Sequence, residues 1–130
     1  MTAISFTLNG DPVNLDVAGE TPLIYVLRNQ CHIASVRYGC GQEQCGACVL
    51  HVDGKPAHAC TLPTQAVADA VVTTLEGLGT SGALHPLQQA FLDLNAAQCG
   101  FCTSGIVMTA AALLEHNPAP TRSDIQQALA

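Results

Sequence analysis

Apolar and polar residues alternate from the start of the chain. Ile4, Phe6 and Leu8 are separated by single polar residues, the period of a strand with one buried face. Asn9-Gly10 is the dipeptide favoured in a two-residue hairpin turn, and Val13, Leu15 and Val17 resume the alternation on a returning strand. Thr21-Pro22 predicts a helix start, with Thr21 as N-cap and Pro22 at the first helical position. Leu23, Val26 and Leu27 then recur at helical spacing, which predicts a helix over about residues 22–30 lying across the hairpin. Strand, turn, strand, helix is the opening of a β-grasp arrangement. A second hairpin follows, with alternating residues 48–52, a turn at Asp53-Gly54 and a return over residues 55–60. The β-branched run Val71-Val72-Thr73-Thr74-Leu75 predicts a further strand.

From Glu76 to Leu84 the composition shifts to Gly, Ser and Thr, which marks a boundary between two halves. Strand signals stop there. His85-Pro86 opens a helix that places Leu87, Phe91 and Leu94 on one face. Residues 106–115 are strongly apolar and rich in alanine, the pattern of a helix buried between other helices. Asn117-Pro118 ends it, and Thr121-Arg122-Ser123-Asp124 has the form of a capping box for a last helix. The fold class is α+β, with a β-grasp domain over residues 1–77 and a small helical domain over residues 78–130. No internal repeat is visible.

Composition narrows the function. The net charge is −6 and only Arg28, Arg37, Lys55 and Arg122 are fixed cations, so nucleic-acid binding is not expected. No apolar run is long enough for a membrane span, and the first residues carry no positively charged segment followed by an apolar run. A cytoplasmic location is expected, with export alongside a partner the alternative. Seven cysteines in a chain without an export signal argue for metal or redox chemistry over a disulfide framework.

The cysteines fall into two groups. Cys40, Cys45, Cys48 and Cys60 have the spacing C-x4-C-x2-C-x11-C. Three of them lie in one glycine-rich loop and the fourth is brought back by the second hairpin. Four thiolates also suit zinc, but zinc ribbons use two separate C-x2-C knuckles, whereas this spacing is that of plant-type ferredoxins and predicts a [2Fe–2S] cluster. A Rieske centre would need C-x-H and C-x2-H pairs, and neither occurs. Backbone N–H groups near Gly41 and Gly46 are placed to donate to the cluster sulfurs. Cys99-Gly100-Phe101-Cys102 reads either as a thioredoxin-like redox pair or as half of a second cluster site at a helix N-terminus. Cys31 lies outside both groups and reads as a buried, inert thiol. His51 and His58, on the two arms of one hairpin, are expected to face solvent, and no histidine is assigned to catalysis. No phosphate loop or nucleophile triad is visible.

With both groups in view, the chain resembles the small iron–sulfur subunit of the xanthine oxidase family of molybdenum hydroxylases. The resemblance is carried by Tyr38-Gly39-Cys40-Gly41 and Gln44-Cys45-Gly46-Ala47-Cys48, by Asp53-Gly54-Lys55-Pro56, and by the stretch from Thr73 to Leu78. It continues through His85 to Phe91, Gln98-Cys99-Gly100-Phe101-Cys102-Thr103-Ser104-Gly105, and Asn117 to Thr121. It implies a plant-ferredoxin β-grasp domain followed by a helical domain that holds a second [2Fe–2S] cluster nearer to molybdenum. Cys99 and Cys102 match two ligands of that cluster, and Gln98 matches the residue that contacts molybdopterin in a large partner subunit. The implied activity is electron relay within an oxidoreductase, with substrate chemistry on the partner and electrons passing to FAD or haem on a further subunit or domain. Among relatives the chain is similar to dehydrogenases of N-heteroaromatics such as nicotinate or isoquinoline, or of aldehydes. The family pattern completes the second cluster with a C-x-C beyond the position of Ala130, so the natural chain is expected to continue. A free-standing [2Fe–2S] ferredoxin is the alternative reading, and the helical half and Gln98 count against it.

Overall fold

The computed structural model describes residues 1–79 and 82–130; part of the boundary expected over residues 76–84 therefore lies outside the described residues. Asn9 and Gly10 both adopt positive φ, 50° and 88°, as a primed turn demands, and fold β1 (Thr2–Leu8) back on β2 (Asp11–Val17). Asp53 and Gly54 repeat the device at 50° and 82° between β3 (Val49–Val52) and β4 (Lys55–His58). With β5 (Val71–Thr73) they form one sheet in the order β2-β1-β5-β3-β4. The central pair β1–β5 is parallel and the other neighbours are antiparallel. This is the expected β-grasp sheet.

Helix α1 (Leu23–Asn29) packs Leu23, Ile24, Val26 and Leu27 into the core against Ile4, Phe6, Leu8, Leu50 and Val72. Its start differs from expectation. Pro22 is itself the N-cap and no side chain caps the helix. The first-turn N–H groups instead reach carbonyls of the segment after β4: Leu23 donates to Leu62 at 2.7 Å and Ile24 to Ala59 at 3.1 Å. These satisfy donors a cap would otherwise serve. Thr21 offers its carbonyl to the Thr64 N–H at 2.9 Å and hydroxyl at 2.7 Å. A 3-10 turn, Thr64–Val67, buries Thr64 and Val67 where no element was expected.

Beyond β5 the chain is helical. A short α2 (Leu75–Leu78) begins where the strand was expected to end. Helix α3 (Pro86–Asp93) has the His85 cap, with Leu87 N–H donating to the imidazole at 3.1 Å and His85 N–H to Gln88 at 2.9 Å. Its apolar face is less buried than expected: Leu94 lies past the helix end and is 77% exposed. Helix α4 (Thr103–His116) and helix α5 (Arg122–Ala128) follow, the latter starting from the expected Thr121–Asp124 capping box.

Helix α4 does not sit mainly between helices. Its chief partner is β3, and Val107, Met108, Ala111 and Ala112 are its buried face. Strand side chains alternate across the sheet, so Leu50 joins the α1 core while Val49 and His51 turn to the other side. This overturns the solvent-facing reading of His51. It is 5% exposed, and its Nε2 is 2.7 Å from the Met108 carbonyl of α4. The strand is covered on both faces, so its polar position cannot face water.

Candidate metal centre

The loop carrying the first cysteines has no regular structure. Gly41, Glu43 and Gly46 take φ of 68°, 60° and 75°, so the backbone turns repeatedly into the left-handed region that favours glycine. The result is a shell of N–H groups around two sulfurs. Cys40 Sγ accepts from the N–H groups of Gln42 at 3.3 Å, Gln44 at 3.2 Å and Cys45 at 3.2 Å. Cys45 Sγ accepts from Cys40 at 3.3 Å and Ala47 at 3.4 Å. Four of the five donors flank Gly41 or Gly46 and the fifth is Gln44, while the glycines supply the curvature. Such concave N–H arrays bind anions. The Cys45 N–H, then those of Gln42 and Gln44, pull the Cys40 thiol down to about 7 from its ordinary value near 9.

The other two thiols are set differently. Cys48 and Cys60 are 2% and 7% exposed. Burial pushes the Cys48 thiol up to about 11, opposed in part by the Cys60 N–H and reinforced by the Cys60 and Cys45 thiols. A thiolate at this position needs a positive centre beside it. Cys60 arrives just after β4, in the segment whose carbonyls start α1.

Cys40 and Cys45 each accept from the other's backbone N–H, and Cys60 is the neighbouring thiol that acts most on Cys48, ahead of Cys45. Among the described residues no three His, Cys, Asp or Glu groups gather as they would about one ion. A single tetrahedral zinc needs all four donors at one point. A two-iron cluster needs two thiolates at each of two metals, and the paired arrangement, with N–H groups aimed at sulfur, fits that group.

Cys99 and Cys102 are both exposed. Gly100, at φ 87°, turns the chain between them, and Cys102 is the N-cap of α4. Gln98, also exposed, directly precedes them. The start of α4 lies against the first loop: a Cβ on Gly105 would overlap the Gly46 carbonyl. Ser104 Oγ donates to the Ser35 carbonyl at 2.6 Å. Arg37, which the motifs did not single out, donates to the Gly100 carbonyl and, at 3.2 Å, to that of Phe101. Its signal in the sequence was only its rarity as a cation three residues before a cysteine. His58 Nδ1 stands 3.7 Å from Glu43 Oε1 of the loop. Cys31 is half-buried and burial raises its thiol. Among the described residues no helix is long and apolar enough to cross a membrane.

A β-grasp sheet with this cysteine loop, joined to a helical half with a second cysteine pair, defines a two-part iron–sulfur electron-transfer protein. Residues 6–75 match the 2Fe-2S iron-sulfur cluster binding domain and residues 74–130 match the [2Fe-2S] binding domain family. The chain is 46% identical over 128 residues to one of the nicotinate dehydrogenase subunits of Pseudomonas putida, covering 98% of this chain and 82% of that protein. It is 42% identical over 127 residues to the alpha chain of isoquinoline 1-oxidoreductase from Brevundimonas diminuta, covering 97% and 83%. The crystal structure of the aldehyde oxidoreductase from Desulfovibrio desulfuricans matches with a TM-score of 0.94 at 46% identity, over 98% of this chain and 14% of that one. The chain belongs to the [2Fe–2S] iron–sulfur subunits of the molybdenum hydroxylase family of oxidoreductases.

Proposed function

We propose that the chain relays electrons from a large molybdopterin-binding subunit to an external acceptor, an FAD- or haem-bearing subunit. Cys40, Cys45, Cys48 and Cys60 are the proposed ligands of a first [2Fe–2S] group in a domain spanning residues 1–77. Cys99 and Cys102 are two ligands of a second in residues 78–130, with Gln98 contacting the molybdopterin of the partner. A bound [2Fe–2S] group supplies reversible one-electron storage. The residues of this chain do the rest. Loop N–H groups at 3.2–3.4 Å from the Cys40 and Cys45 sulfurs stabilise negative charge there and so favour the reduced state. Buried Cys48 and Cys60 keep water from the inner side. Exposed Gln98, Cys99 and Cys102 offer the second site to a partner.

The observation that carries this reading is the array of N–H groups converging on two sulfurs, which a thioether-like or disulfide role would not need. The helical half argues for a complex over a free carrier, because it is built onto β3 and presents a second cysteine pair. The substrate class is an N-heteroaromatic such as nicotinate or isoquinoline, or an aldehyde, by analogy with the relatives, and the location is the cytoplasm. Purification from the native host should yield a coloured protein containing iron and sulfide, bound to a larger molybdenum-containing chain and reduced on adding nicotinate or an aldehyde. A colourless protein with stoichiometric zinc would sink the cluster reading. An iron-loaded monomer that never meets a partner would sink the relay reading.

A further inference from the structure

Arg37 stands between the two cysteine segments. Its N–H donates to the Ala47 carbonyl of the first loop at 3.1 Å. Its guanidinium Nη1 donates to the carbonyls of Gly100 and Phe101, the two residues between Cys99 and Cys102. The guanidinium carbon also lies 5.7 Å from the centre of the Phe101 ring, within cation–π range. One residue thus holds the first loop by its backbone and the second by its side chain. Among the described residues the only acid–base pair within 4.0 Å is His58–Glu43, so no carboxylate compensates this partly buried cation. A buried charge needs a partner of opposite sign. A thiolate-ligated [2Fe–2S] group is anionic and gains a further negative charge on reduction.

We propose that Arg37 is the positioning residue of the second site: it fixes the Cys99–Cys102 span against the first loop, and its charge favours the reduced state there. The inference rests on the reading of Cys99 and Cys102 as cluster ligands. Two properties are required at once. The planar fork and stacking on Phe101 belong to arginine alone, whereas the charge is shared with lysine. Position and charge therefore separate experimentally.

The test is electron paramagnetic resonance with redox titration on the native complex carrying Arg37→Met or Arg37→Lys, with Cys45→Ser to assign the first-site signal. In Arg37→Met the second-site signal should move to a more negative midpoint potential and change its line shape, while the first-site signal stays where it was. Arg37→Lys should recover most of the potential but not the line shape. Equal shifts of both signals, no shift of either, or a Lys variant as displaced as the Met variant would overturn the proposal. If Arg37→Met fails to assemble, Arg37→Lys decides: an altered second line shape beside an unchanged first supports the proposal, and an unchanged second line shape overturns it. A wild-type complex showing one [2Fe–2S] signal and half the expected iron would instead refute the two-site reading itself.

Discussion

Gly105→Ala tests how α4 meets the first cysteine loop. In an ordinary exposed helix this change stabilises by about 1 kcal/mol, because alanine loses less backbone entropy and has higher helix propensity. Here a Cβ would overlap the Gly46 carbonyl and come within 3.2 Å of Ala47 Cα. Both obstacles are backbone, and neither can rotate away. Overpacking costs about 1–3 kcal/mol, and a rigid obstacle puts this case at the upper end. Subtracting the propensity gain leaves a net loss of about 2 kcal/mol, a fall of roughly 6–10 °C in Tm for a chain of this size. The assay is thermal unfolding of wild type and variant at matched iron content. Unfolding by both circular dichroism and cluster absorbance should shift together, because α4 presses on the first cysteine loop at Gly46 and Ala47. A Tm that rises or stays level would refute the contact between α4 and the loop.

Three further outcomes follow from the same structure. Cys45→Ser should abolish the first-site paramagnetic signal and block reduction of the external acceptor while the second-site signal survives, as read by spectroscopy of the complex. In the iron-free chain, Cys40, held near 7 by loop N–H groups, should be alkylated by iodoacetamide with a half-maximal rate near that pH, while Cys48, near 11, should react only at strongly alkaline pH; mass mapping of labelled peptides checks the order. Glu76 accepts from the N–H groups of Ala34 at 3.2 Å and Ser35 at 3.1 Å, from the Ser35 hydroxyl, and from the Thr74 hydroxyl at 2.9 Å. Burial opposes its ionisation, but these bonds outweigh burial and lower its carboxyl from the ordinary value. Its stabilisation is therefore complete above the unfolded carboxyl range, about 4.3, and is lost as pH falls through the lower folded value. Glu76→Gln should cost about 1 kcal/mol at pH 7, discounted for partial exposure, and should flatten the acid limb of stability in urea titrations from pH 6 to 3.

What the sequence made legible were local signals. The hairpins at Asn9-Gly10 and Asp53-Gly54 require only the two residues that turn. The caps at His85 and Thr121 need a partner three residues away. The first cysteine group is readable because ligand spacing is itself local for three of its members. What escaped depended on distant chain. His51 looked like the polar side of an alternating strand, and only a helix more than fifty residues later covers that side. Thr21 has a capping side chain, yet the segment around Ala59 and Leu62 supplies acceptors for the first turn of α1 and leaves no need for it. Arg37 belongs to no motif, and its role comes from Gly100 and Phe101, which are neighbours only after folding.

The double covering of β3 has a consequence for biosynthesis. Cys60 emerges from the ribosome 56 residues before His116, the last residue of α4. At roughly 5–20 residues per second, that separation is on the order of 3–11 s. During it the sheet side bearing Val49 and His51 has no helix to cover it, and the Gly46 carbonyl is open where Gly105 later presses. The nascent first half therefore passes through a stage with all four of its proposed ligand thiols already made, its outer sheet face bare and its cysteine loop still open to whatever delivers iron. Arrival of α4 ends that stage.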